Sequence, residues 1–165
     1  MAELTNLESK LGEVVGLAMA AQAATKKVAT LARKDKRTGL IATLEKMNDE
    51  ARQAEQRATE VAESFEGKKS AILKEAREVK QKGAEMLKTY LDADSDALDG
   101  LEFLTMAEAG EVGHWEILAH LNKRAHHGGV KELTAWGIPI QRRHLTEVRA
   151  SSLQIADEEN PNEPS

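Results

Sequence analysis

Only one proline, Pro139, falls in the first 160 residues; the other two, Pro161 and Pro164, lie among the last five. Proline removes a backbone donor and clashes with the preceding turn, so the 138 residues before Pro139 contain no proline to break a helix. Apolar and small side chains recur there at three- and four-residue spacing. Leu4, Leu7, Leu11, Val14, Ala18, Ala21, Thr25 and Val28 form the repeat that lines one helix face. Aromatic residues make up only 3 % of the chain. The core must then be filled by Ala, Leu, Val, Ile and Met, which suit helices better than strands.

Punctuation divides the chain into five helical segments. The first is expected from about Glu3 to Lys34, followed by the polar turn Arg33-Lys-Asp-Lys-Arg37. Thr38 is the expected N-cap of the second, whose stripe is Ile41, Leu44, Met47, Ala51, Ala54, Ala58, Val61 and Phe65, with a stop at Gly67. Ser70 is the expected cap of a third; Leu91-Asp-Ala-Asp-Ser-Asp96 reads as a break and a new cap, starting a fourth that lasts to about His126 and is ended by Gly128-Gly129. A fifth runs from about Val130 to Asp157, with a kink or short interruption expected at Gly137 and Pro139. Tight turns after the first and fourth segments make antiparallel hairpins, and the shorter third segment carries the chain between them. The expected fold is therefore an all-α, ferritin-like up-down four-helix bundle of two antiparallel hairpins joined by a crossover helix. It should span residues 1–156, with 157–165 a disordered acidic tail.

Several function classes are disfavoured by composition. The absence of cysteine removes disulfides, thiolate metal ligation and thiol catalysis. A net charge of −5 disfavours a dedicated nucleic-acid binder. The opening MAELTNLESKLGEV carries acids where a signal peptide needs basic residues, and no window reaches the apolar length of a membrane span. A cytoplasmic protein without nucleic-acid or membrane partners is expected. The small-residue stretch from Leu17 to Ala24 would let a second subunit approach closely, so a homo-oligomer formed through helix faces is expected as well.

Carboxylate and imidazole enter the apolar stripe in the last two helices. The inward stripe of the fourth is written Leu104, Ala107, Glu111, His114, Leu118, Leu121 and Ala125. Glu111 and His114 form Glu-x-x-His, which puts an oxygen and a nitrogen ligand one turn apart on one face. His144 and Glu147 form the reversed pair on the fifth helix. With a turn at Gly128-Gly129, His114 lies fourteen residues before Gly128 and His144 fifteen after Gly129, so the imidazoles share a height. Glu111, His114, His144 and Glu147 are thus the candidate ligands of a divalent metal, Fe, Mn or Zn. His120, His126 and His127 are expected to decorate a helix end. The eight acids from Asp92 to Glu116, Glu108 included, are expected to form mostly a helix N-terminus and a solvated face.

The segment Glu111-Val-Gly-His-Trp-Glu-Ile117 resembles the Val-Glu-His-Tyr-Glu-Ile segment of the YciE/YciF-type bacterial ferritin-like family. The likeness continues to Leu145-Thr-Glu-Val-Arg149 and back to Leu44-Glu-Lys-Met-Asn48. The resemblance implies a ferritin-like fold, a dinuclear metal centre (usually iron) and a link to stress responses. It also implies ligand positions at which this chain differs. No carboxylate stands at Ala20 to Gln22, Glu-x-x-His becomes Glu45-x-x-Asn48, and Gly113 replaces a glutamate. The last helix reads Gln141-Arg-Arg-His144 where the family has acids. The functional expectation is a degenerate or remodelled metal site in metal handling or stress protection. The alternative is a non-catalytic bundle serving self-assembly or partner binding.

Overall fold

The computed structural model describes residues 2–164, which form five helices and no strand: α1 (Asn6–Lys34), α2 (Thr38–Glu63), α3 (Lys69–Tyr90), α4 (Ala97–Ala125) and α5 (Gly128–Glu158). The all-α expectation holds, with boundaries moved by specific caps. Thr5 caps α1 and exchanges reciprocal hydrogen bonds with Glu8, so the helix begins at Asn6 rather than Glu3. Asp96 does the same for α4 with Asp99, at the end of the break expected from Leu91 to Asp96. Thr38 and Ser70 are helical residues rather than caps.

The turn between α4 and α5 differs most from expectation. α4 ends at Ala125, next to the expected His126, but Gly128 and Gly129 begin α5 rather than ending α4. The stop is His126, in the left-handed region at φ 57°, followed by His127 as the N-cap of α5. The Asn122 side chain clamps this turn, accepting from the His127 N–H and donating to its carbonyl, both at 2.9 Å. His127 Nδ1 accepts from the Val130 N–H, and its ring stacks on Phe65. A polar clamp and a stacked ring hold a left-handed histidine where glycine would be the usual choice.

α5 runs unbroken through Pro139. Pro139 and Ala135, whose carbonyl loses its donor, both lie on the exposed face, where water can satisfy that carbonyl. Gly137 has a packing role: a Cβ there would lie 2.5 Å from Cη2 of the fully buried Trp115. The helix persists to Glu158, which pairs with Arg37 at 2.9 Å, and the described residues beyond it are exposed turns.

α1, α2, α5 and α4 form a ring in which each packs on the next, while α3 lies outside against α1 and, more lightly, α2. Cross-helix pairs set the directions. Arg33 with Glu45, Glu116 with Arg142, and Arg37 with Glu158 show antiparallel neighbours. Gly12 against Ile72, Gly16 against Ala76 and Ala20 against Gly83 show that α3 runs parallel to α1. This α1–α3 seam is close because it is made of small residues. A Cβ on Gly16 would lie 2.7 Å from Val79 Cβ and overlap the Ala76 carbonyl. Part of the small-residue stretch of α1, reserved on sequence grounds for a second subunit, is therefore taken up inside the chain by α3.

The apolar core is divided in two. One cluster gathers Val28, Leu44, Met47, Leu101, Leu104 and Val148; the other gathers Leu11, Val14, Ala58, Ile72, Trp115, Leu118 and Val130. Between them lies a polar layer.

Candidate functional site

The polar layer arises because the true inward stripes are rotated from the expected ones. α4 buries Leu101, Leu104, Glu108, Glu111, Trp115, Leu118 and Asn122. α5 buries Val130, Thr134, Gly137, Gln141, His144 and Val148. Both follow the three–four alternation of a packed bundle. On α4, Trp115 faces inward beside Gly137, and this displaces His114 to the flank.

Two of the four expected ligands, Glu111 and His144, lie in the interior; His114 and Glu147 do not. His114 has a side chain 38 % exposed, and its Nδ1 lies 2.8 Å from Glu13 Oε2 and 3.3 Å from Lys10 Nζ. Glu147 is 33 % exposed and lies 3.4 Å from Arg143. The four therefore do not converge. The register explains part of this: with the turn at His126-His127, His144 is seventeen residues past His127. It matches residue 109, seventeen before His126, and so the height of Glu108.

His144, 2 % exposed, lies between two carboxylates instead. Its Nδ1 is 3.6 Å from Glu108 Oε2 and its Nε2 is 3.7 Å from Glu50 Oε1. Both separations are too long for hydrogen bonds. Glu50 Oε1, Glu108 Oε2, Gln141 Oε1 and His144 Nε2 are all buried without a hydrogen-bond partner among the described residues. Glu108 is only 2 % exposed and Glu111 5 %, so neither belongs to the solvated acidic face to which the sequence assigned Glu108. Burial pushes the Glu111 carboxyl well above the usual carboxylate range, and the adjacent Glu108 charge pushes it further.

Glu50 is the inward acid of α2, and it pairs with the Arg143 guanidinium. Glu45 is on the surface with Arg33, and Asn48 ties α2 to α1 through the Gln22 carbonyl and Thr25 hydroxyl. Sequence reasoning missed Glu50 and Glu108 as site residues, yet each carried a signal. Glu50 stands three residues after Met47; Glu108 stands four after Leu104 and three before Glu111.

The layer contains two carboxylates, one carboxyl with a raised pKa, an imidazole and an amide, contributed by α2, α4 and α5. No carboxylate comes from α1. A dinuclear centre needs a glutamate from each of two helices and Glu-x-x-His from the other two, which this set does not provide. The donor types do suit one divalent cation. Among the described residues, no three His, Asp or Glu side chains are already arranged to hold a metal ion, so binding one would require side-chain rotation. Compared with family models, curated proteins and solved structures, the chain matches none.

Proposed function

We propose that the chain is a ferritin-like bundle of the YciE/YciF type. Its remodelled centre takes a single divalent cation, Fe, Mn or Zn, and the protein serves metal handling or stress protection. Glu108, Glu111 and His144 are the ligands, with Glu50 and Gln141 beside them. One observation carries this reading: buried oxygen and nitrogen atoms of Glu50, Glu108, Gln141 and His144 lie in one layer without partners. Leaving such atoms unpaired costs about 1–3 kcal/mol each, and a cation would satisfy several together. The order of two short-linked hairpins around a shorter connecting helix also supports it.

Binding requires Glu111 to lose its proton and rotate toward His144. Uptake should therefore release protons and strengthen as pH rises. A bound cation would supply positive charge and Lewis acidity to the layer. Elemental analysis of untagged protein after loading with each metal is the test. Stoichiometric metal that is lost in Glu108→Gln and in His144→Ala supports the reading; metal near zero after loading refutes it.

A second reading is a non-catalytic bundle for self-assembly or partner binding. The observation favouring it is the Arg143–Glu50 pair, which brings positive charge to the layer without any metal. Light scattering that shows a metal-free oligomer would favour it.

A further inference from the structure

A cleft of about 230 Å³ runs in from the surface where α3 and α4 diverge, and it ends at the buried acids of the polar layer. Its walls are apolar: Leu17, Ala20 and Ala21 from α1, Met86 from α3, and Phe103 and Met106 from α4. Met86 and Met106 are about half exposed and frame the mouth. The ionisable lining consists of Glu108, Glu111 and His114, so acids outnumber bases. Glu108 is almost wholly buried, and its Oε2 has no partner; Glu111 makes no hydrogen bond among the described residues.

We propose that this cleft binds a small primary amine, its short alkyl or single-ring body against the apolar walls and its ammonium between Glu108 and Glu111. Three features select that chemistry. The volume exceeds the roughly 150 Å³ that suffices for a benzene ring in an apolar cavity, leaving room for a short chain. A hydrated metal ion gains nothing from apolar walls, and a ligand carboxylate would meet the buried Glu108 charge. A neutral alcohol would fill the space but leave the buried Glu108 charge uncompensated, whereas an ammonium neutralises it and donates to Glu108 and to the carbonyl oxygen of the Glu111 carboxyl. The inference stands apart from the metal reading, although the two occupants would share Glu108 and Glu111 and exclude one another.

Calorimetric titration of chelator-treated, metal-free protein with n-hexylamine, n-hexanol and hexanoate tests it. Because no metal is present, failure of the metal reading leaves this experiment untouched. Hexylamine should bind at one site, with hexanol and hexanoate about ten- to hundredfold weaker, the worth of one or two charge-assisted hydrogen bonds. Glu108→Gln should weaken the amine by a similar factor. Gly110→Leu serves as the blocking variant. A Cβ at Gly110 meets nothing within 4 Å, so the helix is kept while the side chain fills the mouth. Amine binding should disappear in Gly110→Leu with an unchanged helical spectrum. Hexanol binding as tightly as hexylamine would overturn the proposal, as would amine affinity that survives Gly110→Leu or an absence of amine binding altogether.

Discussion

Replacing Glu111 by glutamine should make the protein more stable as pH rises relative to the parent. Burial and the neighbouring Glu108 hold the Glu111 carboxyl well above its ordinary value of 4.5. Between that ordinary value and the raised one, the folded chain keeps a proton that the unfolded chain has released. Unfolding is then favoured as pH increases, by up to about 1.4 kcal/mol for each pH unit from this one group. Stability from Glu111 is fully present below the ordinary value and is lost as pH climbs toward the raised one. Glutamine keeps the size and the neutral form but has no proton to lose. Urea denaturation of both proteins at steps from about pH 5 to pH 8 isolates the effect of the coupled Glu108–Glu111 pair, because titrating groups away from it contribute equally to the two curves. The stability difference, variant minus parent, should grow with pH at a slope approaching the one-proton limit and level off once Glu111 ionises in the folded protein. Parallel curves across the range would mean that Glu111 is already ionised when folded, and the account of a desolvated carboxyl in the layer would be wrong.

Further expectations concern packing and turns. Gly137→Ala should destabilise by about 1–3 kcal/mol although alanine is the better helix former, because its Cβ would force Trp115 from its seat; a red-shifted Trp emission should accompany the loss. Gly16→Ala should cost a similar amount by overpacking against the α3 backbone, which cannot move aside as a side chain can, and amide exchange should speed up in α3 more than in α5. His126→Gly should relieve the left-handed strain and raise stability by about 1 kcal/mol, read as a higher melting temperature. Asp96→Ala should lose about 1 kcal/mol through the capping box at the start of α4.

The helices themselves were legible before any coordinates, because what makes them is local. Apolar side chains repeat every three to four residues, no proline precedes Pro139, and the stretch Leu91 to Asp96 marks the start of α4. Five segments, two tight turns and a connecting helix follow from those signals alone.

Which residues of each helix face the interior did not follow from the sequence, because neighbouring stripes on a helix differ by a single residue. His114 and Trp115 compete for one position. The contest was decided only by Gly137, twenty-two residues away on the opposing helix, which makes room for an indole. The turn position had the same character. Two glycines are a strong local stop, but Asn122 and the stacked ring of Phe65 made a histidine pair the better one and moved the register of α5 along α4. Glu50 and Glu108 were therefore placed beside His144 by helix packing. Periodicity fixes a helix to within a face, and only contact with the partner helix chooses the side chain that is buried.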